Sequence, residues 1–314
     1  MSIEIRPASR QHARLLIGLY GESGSGKTKS ALLLARGIAG PDGKIVVIDT
    51  EAGRAEFFAD EIPGGYDVLP LSAPFSPSRY AEAITACEET GAKVICLDSA
   101  SHSWEGQGGV LDMAGENENA GKKGLAVWKN PKMEHAKFVL KLMQSNCTVI
   151  VCLRAKFKSR QVKNAKGFTE IVKDEHLTPI QAEDFLFELT THMQVNPDHT
   201  IYVTKEGRAD LRACLPENDK EPIKIAHGEA IAQWAANPGK ISGPQTAATS
   251  KPDDTKALKA ALWNMAKSKY ATAQEFEQML WDEGIIDTER ESLSELSSER
   301  LIKVTADVRK KLNL

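Results

Sequence analysis

Short apolar runs alternate along the first two thirds of the chain with stretches whose apolar residues recur at helical spacing. This alternation is typical of an α/β fold with a mainly parallel sheet covered by helices. Two of the runs are continuously apolar, which indicates central strands. The predicted strands are Ala13–Tyr20, Lys44–Thr50, Tyr66–Leu71, Lys93–Ser99 and Thr148–Leu153, and the predicted helices among them are Lys27–Ile38 and Ser78–Thr90.

The middle of the chain is interrupted by a polar stretch, Gly106–Gly124, rich in Gly, Asn and Lys, which predicts a mobile loop. A helix is expected after it, because Asn130 can cap, Pro131 suits a first turn, and the apolar spacing continues to Met143. Two more strand-like runs flank the dipeptide Pro197-Asp198 and predict a hairpin. They are Phe185–Val195 and Thr200–Lys205.

Composition changes near Asn237. Residues 237–254 hold several Pro, Gly, Ser and Thr residues and almost no large apolar side chain, which is typical of a linker. We therefore expect an α/β domain at 1–236, a flexible linker at 237–254 and a small helical module at 255–314. The helices predicted in that module are Lys256–Lys267, Ala273–Asp282 and Ser294–Leu312.

The overall composition is that of an ordinary globular protein, with 314 residues, 26% charged and 41% hydrophobic. The formal net charge of −3 gives no overall attraction to a polyanion, so any nucleic-acid site must be a local basic patch. The five cysteines form no CxxC pair, which predicts buried reduced thiols. No apolar run reaches the roughly 18 residues of a membrane span, and a cytoplasmic protein without membrane contact is expected.

A glycine-rich segment joins the first predicted strand to the first predicted helix. In this context the pattern Gly-x-x-x-x-Gly-Lys-Thr predicts a loop whose backbone N–H groups face phosphates. Lys27 is expected to reach the β- and γ-phosphates of ATP, and the Thr28 hydroxyl to bind Mg²⁺. The predicted nucleotide-binding residues are Gly21, Glu22, Ser23, Gly24, Ser25, Gly26, Lys27, Thr28 and Lys29.

Two further strands end in carboxylates. Asp98 follows four apolar residues and is expected to hold the metal, although a turn or capping role would also explain it. The strand before it ends in Asp49-Thr50-Glu51, from which a carboxylate could orient the attacking water. This ending resembles that of RecA-type ATPases, and the resemblance implies that Glu51 is the catalytic base. The alternative is that Glu51 pairs with Arg54 on an exposed turn.

A strongly basic segment follows the strand that ends at Leu153. From Arg154 to Lys173 it holds seven bases and one acid, with Phe157 and Phe168 interleaved. Such a segment is typical of a loop that follows a phosphate backbone and stacks bases, although a merely solvated basic loop would look the same. The predicted DNA-binding residues are Lys156, Lys158, Arg160, Lys163 and Lys166.

Over about Arg14–Arg208 the chain resembles a RecA-like ATP-binding family of bacteriophages and prophages. The resemblance is carried by the phosphate-binding loop, the two acidic strand ends and Val149–Lys156. It is also carried by three weaker segments that occur in the same order along the chain. These segments are Thr178–Gln181, Phe185–Glu188 and Thr204–Arg208.

The resemblance implies a Mg²⁺-dependent ATPase that acts on single-stranded DNA in phage recombination, by annealing or strand exchange, in the host cytoplasm. Some related proteins are single-strand annealing recombinases built on a RecA core; they tend to be shorter, so the helical tail departs from their pattern. Two alternatives stay open. One is a replication accessory ATPase, either a helicase or a helicase loader. The other is an ATP-gated interaction module without DNA contact.

Related ATPases form rings or filaments in which a Lys-x-Arg pair on a strand reaches the nucleotide of the neighbouring subunit. Lys205 and Arg208 resemble that pair, but two residues separate them instead of one. On a strand this spacing puts the side chains on opposite faces, so one of them alone would be the finger. The alternative is a salt-bridged strand end. A homo-oligomer is therefore expected, and the helical module is a candidate site for a protein partner.

Overall fold

The structure is a computed structural model that describes residues 15–163 and 169–237 and, in the C-terminal part, residues 259, 262–263, 266, 270, 272–286, 296 and 298–312. The chain divides into two compact units, Met1–Ile241 and Ser242–Leu314. Residues 238–254 of the predicted linker lie outside the described residues, and the division into two domains and a linker stays a prediction.

The first unit is built on one sheet, in which six parallel strands are followed by an antiparallel edge strand. The strand order is β3-β2-β4-β5-β1-β7-β8, and β6 pairs with β5 outside this path. The mainly parallel α/β architecture predicted from the sequence is confirmed. The strands are β1 Leu16–Gly21, β2 Ile45–Asp49, β3 Asp67–Pro70, β4 Val94–Asp98, β5 Thr148–Lys163, β6 Thr169–Pro179, β7 Thr191–Val195 and β8 Ile201–Lys205.

Helices cover both faces of this sheet. In the first unit they are α1 Lys27–Ala39, α2 Pro77–Glu89, α3 His102–Glu105, α4 Val110–Asn119, α5 Leu125–Gln144, α6 Phe185–Glu188, α7 Ala209–Arg212 and α8 Ile225–Ala236. The second unit contains α9 Ala273–Asp282 and α10 Ser298–Leu312, which pack around a separate small core. Helix α9 matches its prediction, and α10 begins four residues later than predicted. The helix predicted at Lys256–Lys267 lies largely outside the described residues.

Alternate side chains of each central strand enter two different cores. In β1, Ile17 and Leu19 pack with α1 and α8, whereas Leu16 and Tyr20 pack with α2 and α5. Since both faces are buried, the strand shows an apolar residue at nearly every position, as the sequence does. Helix α1 crosses α8 where a Cβ on Gly37 would lie 2.1 Å from the Ile225 carbonyl oxygen, so glycine permits this close approach.

The prediction of a loop at Gly106–Gly124 is wrong, because α4 lies within it. Val110 and Ala114 are spaced by one turn and buried, whereas Leu111, Asp112, Glu116 and Glu118 are exposed. The next helix starts at Leu125 and not at Pro131, which lies inside it. Pro131 has no N–H for the Val127 carbonyl four residues earlier, and the side-chain amide of Asn117 donates to that carbonyl at 2.7 Å. A distant side chain thus compensates for the proline.

The basic segment after Leu153 is not a loop. Strand β5 pairs with β1 as far as Arg154, which lies opposite Gly21. It then continues and pairs antiparallel with β6 from Ala155 to Lys163. We call this β5–β6 hairpin the ribbon. Its exposed apolar side chains include the β-branched Ile171, which is 74% exposed, and β-branched residues favour strands. Residues 164–168, which include Lys166 and Phe168, lie outside the described residues.

The predicted hairpin around Pro197-Asp198 is confirmed over β7 and β8. The prediction that its first strand begins at Phe185 is wrong. Phe185 begins the short helix α6, because Phe185 and Leu189 are both buried one turn apart. The prediction of reduced thiols is confirmed: all five cysteines are free, and four are buried. Among the described residues, no helix has both the length and the apolar character needed to cross a membrane.

Candidate active site

The glycine-rich loop lies between the end of β1 and the first residue of α1. Gly24 and Gly26 have φ angles of +82° and +92°, in the left-handed region that favours glycine. A Cβ on Gly21 would lie 2.5 Å from the Val195 carbonyl oxygen, so the loop can only pack this closely on β7 without a side chain there. His199, between β7 and β8, supports the loop through Nδ1, which lies 2.9 Å from the Ser25 carbonyl oxygen.

Lys27 folds over this loop. Its Nζ donates to the carbonyl oxygens of Gly21 at 3.0 Å and Glu22 at 2.7 Å. Burial lowers the pKa of the Lys27 ammonium, and this effect is opposed by the nearby carboxylates of Asp98 and Glu51. A phosphate entering the loop would therefore meet a positive charge that has little water around it.

Thr28 and Asp98 meet beside Lys27. The Thr28 hydroxyl donates to Asp98 Oδ2 at 2.5 Å, because β4 ends next to the start of α1. Burial raises the pKa of Asp98 to about 6, and the Thr28 hydrogen bond acts against it. Two adjacent oxygen ligands fit Mg²⁺, which keeps most of its shell as water and phosphate oxygen. The described residues contain no cluster of three or more His, Cys, Asp or Glu side chains that could hold a metal.

A tight turn after β2 presents Glu51. The buried carboxylate of Asp49 accepts hydrogen bonds from the Glu51 N–H at 2.6 Å and the Gly53 N–H at 2.8 Å. Thr50 Oγ1 lies 2.7 Å from Nδ1 of His102, whose Nε2 is 3.9 Å from Glu51 Oε1. The Glu51 side chain is only 10% exposed, so the turn aims it inward.

Glu51 has a strong partner that the sequence did not indicate. Arg154 Nε donates to Oε1 at 2.8 Å and Nη2 donates to Oε2 at 2.7 Å, whereas the proposed partner Arg54 stays 3.8 Å away. Burial would raise the pKa of Glu51, but the hydrogen bonds and charge of Arg154, with His102 and Arg54, hold it below its usual value. A lowered pKa keeps Glu51 ionised at neutral pH. The ion pair with Arg54 that the sequence allowed is present at 3.8 Å, but the Glu51 side chain is only 10% exposed and its closer partner is Arg154.

These side chains surround one cavity of about 280 Å³. The sequence placed Lys27, Thr28, Glu51 and Asp98 together, and the structure brings them to this cavity with loop residues Ser23, Gly24 and Gly26. Lys29, predicted to bind nucleotide, forms a half-exposed ion pair with Glu61 and does not line the cavity, so its role stays a prediction. The residues that the sequence reasoning missed here are Arg54, Phe57, Phe58 and Arg154.

Two other predicted groups lie away from the cavity. Lys205 Nζ donates to the Phe187 and Leu189 carbonyl oxygens at 2.9 and 2.5 Å. Arg208 lies beyond the end of β8 and pairs with Asp210 at 2.9 Å, so the argument from alternating strand faces does not apply to it.

In the ribbon, Lys156 and Lys158 approach Glu105 and Glu183 at 3.9 and 3.4 Å. Arg160 pairs with Val172 and Lys163 with Thr169 in the strand register.

A glycine-rich loop between a strand and a helix, with a lysine folded over it and acidic side chains at neighbouring strand ends, is the arrangement of a P-loop ATPase. A family model described as "AAA domain" matches residues 13–204. The chain belongs to this family.

A comparison with curated proteins gives no match. Among solved structures, the chain is similar to a prototypical ATPase from the type III secretion system of pathogenic bacteria. The two are 15% identical with a TM-score of 0.37, over 96% of this chain and 83% of that chain. No property of this chain follows from that similarity.

Proposed function

We propose that this P-loop ATPase is a RecA-like, Mg²⁺-dependent enzyme that acts on single-stranded DNA in phage recombination, by annealing or strand exchange. One observation carries the proposal. Strand β5 contributes Arg154 to the nucleotide cavity and then continues without a break into the basic ribbon. A single strand thus joins the ATP site to the most basic segment of the sequence, Arg154–Lys173, and a local basic patch is what a polyanion site requires.

The proposed chemistry assigns each pocket residue one task. The loop N–H groups and Lys27 hold the phosphates, Thr28 and Asp98 hold Mg²⁺, and Glu51 accepts the proton of the attacking water. When bound, Mg²⁺ neutralises charge on the β- and γ-phosphates. The role needs the carboxylate form, and Glu51 is ionised at neutral pH because its pKa lies below the usual value.

The proposed assembly is a homo-oligomeric ring or filament in the cytoplasm of a bacterial host. Its phage setting is supported by the sequence resemblance over Arg14–Arg208. Arg208 is the better candidate for a finger that acts on a neighbouring subunit, because its side chain is 70% exposed and only a surface ion pair holds it. The Lys205 ammonium is already bonded to two carbonyl oxygens of its own chain.

The direct test is ATP turnover with and without single-stranded oligonucleotide. We expect stimulation by the oligonucleotide. Annealing of complementary strands without unwinding would support the recombination role, whereas processive unwinding of a forked duplex would favour a helicase or helicase loader. Unchanged turnover and no oligonucleotide binding would favour an interaction module. The exposed Phe157, Ile171 and Val172 on the ribbon give that alternative some support, because such side chains also suit protein contacts.

Neutralising Lys156, Lys158, Arg160 and Lys163 together is expected to weaken oligonucleotide binding and to spare DNA-independent turnover. The side chains of Lys156 and Lys158 are 65% and 50% exposed, so losing their long ion pairs with Glu105 and Glu183 should change the stability of the fold very little. Each phosphate contact contributes a slope of about −0.7 to the dependence of log K on log salt, so losing several should flatten that slope. A salt titration of both proteins measures this.

A matched variant neutralises Lys122, Lys123, Lys129 and Lys132, four exposed lysines around the start of α5. It should keep the affinity and the salt slope of the unmodified protein. If instead this variant loses binding and the ribbon variant does not, the DNA site lies at α5 and the ribbon assignment is wrong.

Removing Pro252–Leu314 is expected to leave basal ATP turnover near that of the full chain. The pocket residues all belong to the first compact unit, and the removed segment belongs to the second, which has its own core. Turnover and solubility of the shortened chain test the proposed domain division. An insoluble product would show that the ATPase domain needs the helical module.

A further inference from the structure

The closest partner of Glu51 is a side chain that is itself only partly fixed. Arg154 donates to both carboxylate oxygens, but its own side chain is long and 43% exposed. A general base must be aimed, since its proton-accepting oxygen has to lie within hydrogen-bond reach of the attacking water. The pair with Arg154 alone therefore leaves the direction of the Glu51 carboxylate open.

A second side chain near Glu51, that of His102, is rigid. It is the first residue of α3, and its side chain is 12% exposed. The imidazole stacks on the ring of Phe75, with centroids 4.9 Å apart and an angle of 26° between the planes. Phe75 is held in turn, because its N–H donates to the Gln107 carbonyl oxygen at 2.6 Å and a Cβ on Gly106 would lie 2.9 Å from its ring. These neighbours set the orientation of the imidazole.

The His102 imidazole carries one proton, and hydrogen bonds around Thr50 decide which nitrogen holds it. Burial lowers the pKa of His102, so the ring is neutral at neutral pH. Thr50 Oγ1 accepts the Ser99 N–H at 2.8 Å. It lies 2.7 Å from His102 Nδ1 and 3.2 Å from the Ser99 carbonyl oxygen. A hydroxyl has one proton to donate, so it can serve only one of these two acceptors.

Two observations favour donation from Thr50 to Nδ1, with the ring proton on Nε2. The contact with Nδ1 is the shorter one, and the Ser99 carbonyl oxygen already accepts from the Tyr80 hydroxyl at 3.0 Å. In the other arrangement a bare Nε2 would lie 3.9 Å from an oxygen of the ionised Glu51, and the two would repel each other. His102 is thus a neutral donor whose Nε2–H is available to Glu51.

The acceptor sites of Glu51 show what this donor can do. A carboxylate offers about four sites, two on each oxygen, and Arg154 uses one on each. Nε2 of His102 lies 3.9 Å from Oε1, which is too long for a hydrogen bond, but hydrogen bonds at active sites tighten when the substrate complex forms. Arg54 lies 3.8 Å from Oε2, and its side chain is 59% exposed. A bond from His102 would fill Oε1 and leave a site for water on Oε2.

We propose that His102 is a positioning residue for Glu51: bound to Thr50 through Nδ1, it donates its Nε2–H to Oε1 and turns Oε2 toward the attacking water. This inference rests on the proposed role of Glu51 as the base. The described residues that line the cavity do not include His102. Replacing it should therefore lower kcat and leave the KM for ATP near that of the unmodified chain.

Two amide variants separate the two ring nitrogens. In His102→Gln the amide N–H lies as many bonds from the backbone as Nε2, so it keeps the donor to Glu51 and loses the contact with Thr50. In His102→Asn the amide replaces Nδ1, keeps the contact with Thr50 and no longer reaches Glu51. We expect His102→Asn to lower kcat by about tenfold, the value of one hydrogen bond to a charged group, and His102→Gln to retain most of it. The reverse order would overturn the proposal.

A double-mutant cycle separates this inference from the assignment of the base. In the Glu51→Gln background, His102→Asn should cause no further loss of turnover, because the carboxylate that it positions is gone. A further tenfold loss would overturn the role of His102 while the base stands. Normal turnover by Glu51→Gln alone would refute the base and the role of His102 with it. Equal ADP affinity in all four proteins shows that they are folded.

His192 is the matched control. Its Nδ1 lies 2.6 Å from Thr204 Oγ1, which is the same kind of contact, but it lies on β7 and is not among the described residues around the cavity. His192→Asn should therefore turn over ATP like the unmodified chain. A loss as large as that of His102→Asn would mean that neither effect is specific, and the proposal would fail.

The tautomer can be measured without turnover. NMR of ¹⁵N-labelled protein distinguishes a protonated ring nitrogen from a bare one, and the His102 signals are those missing from the spectrum of His102→Gln. At neutral pH we expect the proton on Nε2. A proton on Nδ1 would leave no donor for Glu51 and would overturn the proposal.

Discussion

Replacing Lys27 with alanine is expected to remove most ATP binding and turnover. The Lys27 ammonium lies over the loop, within 3.0 Å of two loop carbonyl oxygens, where the β- and γ-phosphates are expected to lie. Losing its charge-assisted bonds to two phosphates should weaken ATP binding by about a hundredfold, at about tenfold for each bond. Titration with a fluorescent ATP analogue measures the affinity, and phosphate release measures the turnover.

Lys44→Ala is the matched control. Lys44 also pairs with a carboxylate, that of Asp67 at 3.1 Å, but lies on the surface away from the cavity. It should bind and hydrolyse ATP like the unmodified chain. Wild-type turnover by Lys27→Ala would mean that this loop does not hold the phosphates.

The sequence was sufficient to predict the residues whose roles depend on local chain geometry. A strand followed by Gly-x-x-x-x-Gly-Lys-Thr and a helix predicts a phosphate-binding loop, because the glycine φ angles and the helix start are local properties. Asp98 and Glu51 could also be predicted, since the carboxyl ends of parallel strands meet at one edge of the sheet. Their roles still stand as proposals.

Arg154 could not be assigned from the sequence because its position depends on strand order. Local pattern identifies β5 as a buried strand but does not place it between β1 and β4, which is a long-range property of the sheet. With that order known, Arg154 falls at the same edge as Asp98 and Glu51. In the sequence Arg154 is the first of seven bases, so the pattern places it with the basic segment and not with the nucleotide site.

The wrong element assignments have a similar origin. The sequence predicts that a helix starts at Pro131, because proline rarely lies inside one, but Asn117 of α4 donates to the carbonyl that Pro131 leaves without a donor. The ribbon was predicted as a loop because its residues are polar and basic. Its two strands pair with each other, and neither strand alone shows the regular alternation of apolar and polar residues that would predict it.

Replacing Glu51 with glutamine is expected to leave ATP binding intact and to lower turnover by about 10² to 10⁴, the usual range for a lost general base. The amide has nearly the same shape, and the turn that presents it is held by the Asp49 carboxylate through backbone N–H groups. Folding and phosphate contacts should therefore persist. Single-turnover kinetics with saturating ATP separates the chemical step from binding.

The pH dependence shows whether Glu51 is a base or only an anchor for Arg154. With its pKa held below the usual value, Glu51 is ionised at neutral pH, so its protonation should lower kcat/KM at a pH below the fall expected from Asp98, whose pKa is about 6. Glu51→Gln should lose this acid limb along with the rate. Arg154→Ala should keep the limb, moved to higher pH. Glu56→Gln, at an exposed glutamate five residues along the chain, is the control and should match the unmodified chain. If Glu51→Gln and Arg154→Ala lower turnover equally and neither alters the pH profile, Glu51 is an anchor and the base lies elsewhere.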